Sequence, residues 1–381
     1  MLKVFNAYDD NYSSADKAFD SSVDISNNGL CVLSPTTAKL KVEDFGGDYY
    51  LDITIPTERA DLNSLKARNI IVADTPEGLQ PFRITDPVYG GKTCEIKAKH
   101  VFFDSEDYYI ISRTPMHSSP NATIGSLLSY LKNKSDTVKH QGMAPNCPFK
   151  LASVTGDDNP ETTVGEKLSE SFRETTLYQA LINFQNTLRD YDERIRLVRD
   201  GYYVALTLAQ RQTDLILNYG GGLTESKIEY DFSDAVTRII PIGKDQIPLD
   251  EWYLDYDSSR VTLNPKFFKM KKVDFSQDYL TKGDKETDSS WKSRVKADLK
   301  TMAQFYVNAH ATGFVNYSVS ALPPDDTIFK LGDVVTVNDS RLDLTLKNVP
   351  VVGYEYNLIT KKYENVEFGS IKKKLSSLKR K

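Results

Sequence analysis

Between Gly313 and Gly369 the sequence alternates with a period of two, and no other stretch limits the fold as much. Val315, Tyr317, Val319 and Ala321 alternate with Asn316, Ser318 and Ser320. Leu342, Leu344 and Leu346 alternate with Asp343, Thr345 and Lys347, and Val352, Tyr354, Tyr356 and Leu358 with Gly353, Glu355 and Asn357. Successive strand side chains point to opposite faces, so this pattern demands one buried and one wet face. Turn residues interrupt it at Pro323-Pro324-Asp325-Asp326, Leu331-Gly332-Asp333 and Asn338-Asp339-Ser340. About five short strands with tight connections predict a small antiparallel barrel or sandwich.

A chain of 381 residues has room for more than one such unit. Residues 1–105 repeat the pattern. Ala38, Leu40 and Val42 form one alternating run, and Tyr49, Leu51, Ile53 and Ile55 another. Asn27-Asn28-Gly29 and Gly46-Gly47-Asp48 are hairpin signals. Thr57 is placed to cap a short helix over Glu58–Ala67. The pair at Phe82–Ile84 and Cys94–Ala98, joined through Tyr89-Gly90-Gly91-Lys92, resembles the strand–turn–strand near Val352 and Val366. Two modules of one kind are therefore expected.

The rest of the chain is mixed. Ile124, Leu127, Leu128 and Leu131 predict a helix over 122–134, and Leu177, Leu181, Phe184 and Leu188 predict one over 174–191. A hairpin over 194–208 pivots on Asp200-Gly201. Trp291, Val295, Leu299, Met302 and Phe305 or Tyr306 predict the longest helix, over 288–312, capped by Asp288 or Ser289. The expected class is a multidomain α+β chain with two antiparallel β-barrel-like domains and two mixed α/β domains. The first barrel takes residues 1–105 with a strand returning from about 226–245. An inserted α/β domain takes 106–225, an α/β domain with the long helix 246–312, and the second barrel 313–370. Residues 371–381 are a basic tail or linker.

Composition excludes several classes. A charged fraction of 27% and a hydrophobic fraction of 40% are those of a globular protein. Net charge of −5 argues against a surface built for nucleic acid. Cys31, Cys94 and Cys147 are far apart and odd in number, which suits neither a disulfide framework nor a thiolate zinc site. No apolar run approaches the ~20 residues that span a bilayer, and the N-terminus is no signal peptide.

Several segments together carry a resemblance: Lys97–Ile110, Thr237–Asp245, and the long helix followed by Leu331–Asp339, Val351–Asn357 and Val366–Ser370. In order and spacing the chain resembles the N-terminal structural region of siphophage tail-associated proteins, the prophage tail endopeptidase family, and through them the baseplate hub of contractile-tailed phages. The resemblance implies a baseplate-hub-like fold and a homotrimer whose barrels form a pseudo-sixfold ring. Such a ring closes the distal end of the tail tube, opens for DNA ejection, and anchors any C-terminal lytic or receptor-binding part. Implied partners are the distal tail protein, the tape measure protein and the host cell wall. DNA would pass through without specific binding, and no membrane span is involved. The implied location is the virion tail tip, with synthesis in the bacterial host cytoplasm.

No cofactor, metal or catalytic residue is expected. The four histidines, His100, His117, His140 and His310, form no HExxH pattern. His100 with Asp104 offers an acid–base or metal pair on paper, and Cys147 with His140 a peptidase dyad, but a structural hydrogen bond is the plainer reading of the first and no orienting group supports the second. Asp157-Asp158-Asn159 lacks the glycine and glutamate of an EF-hand loop, and Gly220-Gly221-Gly222 is followed by no phosphate-loop lysine. Asp255 and Asp257 lie among Trp252, Tyr253 and Tyr256, so a glycosidase pair or a glycan contact through the three aromatics stays open. For a hub the relevant chemistry is interface burial. Leu331, Val335, Val337, Tyr363, Val366 and Phe368 are the expected contacts to a second subunit or a tail protein, on exposed barrel edges. The alternatives are a wall-degrading endopeptidase and a carbohydrate-binding adhesin.

Overall fold

The computed structural model describes the chain except residues 8–22, 45, 118, 133–145, 162–168, 190–191, 193, 232–234, 260, 264–265, 277–281, 283–285, 312–313, 324–326, 343 and 370–381. The N-terminal part supplies β1 (Leu2–Phe5), β2 (Cys31–Leu33), β3 (Thr37–Glu43), β4 (Tyr49–Pro56), β5 (Ile70–Thr75), β6 (Gly78–Tyr89) and β7 (Thr93–His100). They form a seven-stranded antiparallel sheet in the order β3-β4-β7-β6-β5-β1-β2. Strict alternation fixes its register: Ala38, Leu40, Val42, Leu51, Ile53, Ile55, Ile96 and Ala98 are all buried, and a one-residue slip would send each of them to water. The short helix expected after Pro56 is only a single 3-10 turn, Thr57–Arg59. The Thr57 hydroxyl donates to Gly90 O (2.8 Å) instead of capping.

The insertion that follows contains β8 (Tyr109–His117), α1 (Pro120–Lys132), β9 (Lys150–Leu151), β10 (Ser169–Thr176), α2 (Leu177–Arg189), β11 (Arg196–Asp200) and β12 (Tyr203–Thr207). α2 lies within its predicted span, and α1 begins two residues before the span predicted for it. Each turns its apolar stripe into one cluster: Ile124, Leu127, Leu128 and Leu131 from α1, and Leu177, Leu181, Phe184 and Leu188 from α2. Gly201 closes the β11–β12 hairpin with φ +55°, a backbone state glycine adopts without strain.

The second β unit is a closed barrel. Its strands are β13 (Gln212–Tyr219), β14 (Gly222–Asp231), β18 (Phe314–Ala321), β19 (Val334–Asp339), β20 (Leu344–Asn357) and β21 (Lys362–Gly369). They run β19-β13-β14-β18-β21-β20, and β20 pairs back to β19. Residues 226–231, expected to return to the first barrel, pair with β18 instead (Ser226↔Val319, Ile228↔Tyr317). β13, expected within the insertion, pairs with β19. The physical reason is closure: without β13 and β14 the C-terminal strands would leave two open edges.

The two β units share one strand. β20 is 14 residues long. Its first half pairs with β19 (Val335↔Val349), and its second half lies between β21 and β3 (Tyr354↔Val366, Tyr354↔Val42). A bulge at Gly353 shifts the phase midway. Val349 and Val351 face the core before it and Tyr354, Tyr356 and Leu358 after it, while Val352 is only partly buried. A single apolar cluster therefore runs from Leu2 through both units to Phe368.

Between β14 and β18 the chain makes a smaller lobe from β15 (Arg238–Ile242), β16 (Leu254–Asp255), β17 (Met270–Asp274) and α3 (Asp288–His310). The sheet order is β16-β15-β17. Val295, Leu299, Ala303 and Val307 of α3 pack on Val236, Ile239, Leu249 and Phe275. Thr287, one residue before the predicted caps, accepts the Ser290 N–H at the helix start (3.1 Å). No helix among the described residues is long and apolar enough to cross a membrane.

Candidate functional site

Of the six residues expected on an exposed barrel edge, four lie inside the barrel, and Leu331 and Tyr363 are partly buried. Val335, Val337, Val366 and Phe368 have no exposed surface. β19 is hydrogen-bonded to β13 and β20, and β21 to β18 and β20, so neither strand has an open edge. Barrel closure has consumed the groups that edge pairing would need. The Tyr363 hydroxyl donates to Phe329 O (2.6 Å) and accepts the Phe329 N–H (2.8 Å), tying down the loop before β19.

Leu331 lies at a junction of three units. Glu77, in the β5–β6 turn, accepts the Leu331 N–H (2.9 Å). Arg196, at the start of β11, donates to Leu331 O and to Ala209 O. A β-carbon on Gly332, whose φ is +79°, would lie 2.0 Å from Arg196 Cζ. Glycine is thus required both for the turn and for the close approach of the guanidinium. Arg211 adds an ion pair to the buried Asp333 carboxylate, and Lys361 one to Asp74 (2.9 Å). A cleft of about 590 Å³ opens here, with Glu77, Arg196, Arg199 and Asp333 among its walls. Burial pushes the Glu77 carboxyl above its ordinary value, against the Leu331 N–H that favours the charged form.

A second polar network joins the sheet to the insertion. Gln80, 1% exposed, donates to Asp200 (2.9 Å) and accepts the Gly201 N–H (3.0 Å). His100 accepts the Phe102 N–H at Nδ1 (3.1 Å), so its proton sits on Nε2 and is directed at Gln80 Oε1 (3.0 Å). Burial, helped by the charge of Arg199, holds His100 well below its ordinary pKa. Asp104 takes a bidentate pair from Arg83 (2.7 and 2.6 Å) and the Tyr202 hydroxyl (2.7 Å). His100 and Asp104 therefore belong to different contacts, and both are structural.

The remaining candidates are likewise dispersed. Cys147 is buried, which pushes its thiol up, and His140 lies outside the described residues. Among the described residues no group of three or more His, Cys, Asp or Glu side chains could hold a metal. Asp255 is paired with Arg238 (2.6 and 2.8 Å), and Asp257 accepts the Ser259 hydroxyl (2.6 Å). Trp252 and Tyr253 are 66% and 44% exposed. Tyr256 instead packs against the α3 cluster, so the three aromatics do not form one surface.

Sequence reasoning missed Glu77, Gln80 and Arg196. Each acts across a large sequence separation, and the only local signal at the junction was the Leu331-Gly332-Asp333 turn.

Comparison with known proteins bears on the whole arrangement. Residues 211–379, from the start of β13 onward, match the family model described as prophage endopeptidase tail. No curated protein matches the chain. Three solved structures share the fold. A prophage tail protein from Listeria monocytogenes EGD-e is 12% identical, with a TM-score of 0.55 and 90% of each chain covered. A prophage 43 kDa tail protein from Shewanella oneidensis is 10% identical, with a TM-score of 0.56 over 90% of this chain and 96% of that one. A tail protein from Neisseria meningitidis is 10% identical, with a TM-score of 0.50 over 90% of this chain and 94% of that one.

Proposed function

Starting from a chain that is phage-tail-like in fold and carries a prophage-tail family match at residues 211–379, we propose that it is a structural hub of the tail tip. In this reading three copies form a ring at the distal end of the tail tube, and the virion tail is where it works. The observation that carries the proposal is the β20 strand. It welds a closed six-stranded barrel to a seven-stranded sheet through one continuous ladder. A rigid pair of β units is what a ring needs to present six near-equivalent elements from three chains. The distal tail protein and the tape measure protein are the proposed neighbours, with DNA passing through the opening.

The proposed role is mechanical. The residues raised as catalytic partners either serve separate structural contacts, as His100 and Asp104 do, or lie buried, as Cys147 does. Any wall-degrading or receptor-binding part would be carried on a segment C-terminal to the barrel. Light scattering over a concentration series tests the ring directly. A mass three times the 43.0 kDa of one chain supports it. A single-chain mass at every concentration would remove the self-assembling form of the proposal.

A further inference from the structure

The small lobe carries a surface that neither the core nor the junction uses. On the outer face of its sheet, Arg238 lies opposite Asp255 on one side and Met270 on the other. The Arg238 guanidinium lies over Tyr253 (4.0 Å) and Phe268 (5.4 Å). Phe268, Met270 and Trp252 are 67%, 53% and 66% exposed. Trp252 is held outward with φ 62°, a costly state for a bulky residue. Lys266, Lys269, Lys271 and Lys272 are all exposed along the same segment. Among the described residues no strand pairs with the outer side of β17. Aromatic, Met and Arg side chains flanked by four exposed lysines, in a chain of net charge −5, are the composition of a docking patch that favours an acidic partner.

The same chain offers an acidic counterpart. Glu106 and Asp107 are exposed beside Tyr109, itself 48% exposed, at the end of the two-stranded β8–β10 sheet. Two different, complementary patches on one chain make a head-to-tail contact, the kind that closes into rings. We infer that the β17 face of one copy docks on the Glu106–Tyr109 corner of the next. This rests on the trimeric reading above and names its contact.

The experiment is light scattering of the full chain and of charge variants, with circular dichroism confirming the fold. Met270→Glu with Lys272→Glu changes two exposed side chains. The expected result is a threefold fall in mass, restored when Glu106→Lys and Asp107→Lys are added. A trimer that survives the first pair of changes overturns the contact and leaves the ring intact. Dissociation without restoration overturns the pairing with the acidic corner. A single-chain mass for the unaltered protein overturns the contact and the self-assembling ring together, leaving β17 as an edge guarded by lysines.

Discussion

Glu77 and Arg196 hold the same residue through successive peptide groups: one accepts the Leu331 N–H and the other donates to the Leu331 carbonyl. Glu77 comes from the N-terminal sheet, Arg196 from the insertion and Leu331 from the barrel. One long strand, β20, joins the two β units through a continuous ladder, and the insertion is tied to the barrel by this clasp. Its behaviour should therefore report on how the three units stay in register.

The first expectation concerns pH. Burial raises the Glu77 pKa, so the folded state favours the protonated form more than the unfolded state does. Stability from this group is present below the ordinary carboxylate range and is lost as pH rises through the raised value. Glu77→Gln keeps an acceptor for the Leu331 N–H and removes the charge. Thermal unfolding at pH 8 should be unchanged or shifted upward, with the difference shrinking toward pH 4. A lower melting temperature at pH 8 would mean that attraction to Arg196 and Lys330 outweighs desolvation.

The second concerns Gly332. Alanine there adds strain at φ +79° and drives a β-carbon into the Arg196 guanidinium. A loss of roughly 1–3 kcal/mol is expected from strain and lost hydrogen bonds. Arg196→Ala clears the collision but not the strain. Chemical denaturation of both single variants and the double should give a loss smaller than the sum. Strict additivity would show that the guanidinium simply moves aside.

How much of this could be read in the sequence depends on range. The period-two runs marked β3, β4 and the C-terminal strands because alternation is local and each strand shows it. The helical stripes of α1, α2 and α3 were visible for the same reason. The bulge at Gly353 was not, so Val352 was placed in the core and Val351 was not. Strand exchange was also hidden: nothing local in Ser226–Asp231 says whether its partner is β18 or a strand of the first unit. The edge assignments for Val335 and Phe368 failed because a closed barrel and an open sheet have the same alternation. Closure depends on β13, more than 100 residues upstream of β19.

The third expectation concerns His100. Its folded pKa lies well below the ordinary value because the ring is buried, with Arg199 nearby. The unfolded chain takes up the proton first, so stability is complete above about pH 6.5 and falls as pH drops below it. Urea titrations at pH 7, 6 and 5 should show this decline. His100→Gln should flatten it, at the expense of the ring stacked on Tyr49 (4.2 Å). An unchanged slope in the variant would place the acid sensitivity elsewhere.

The last expectation separates core from interface. Phe368 has no exposed surface and meets Phe329 edge-on at 5.5 Å, inside the barrel. Phe368→Ala should cost about 3–5 kcal/mol, because a cavity remains where the ring was. If Phe368 instead met a neighbouring subunit, the variant would keep the melting temperature of the isolated chain and lose only assembly. Calorimetry beside light scattering distinguishes the two. A fall in melting temperature that does not depend on protein concentration is the expected result. It would tie the C-terminal strand to closing the barrel, and leave the outward faces to hold the proposed ring.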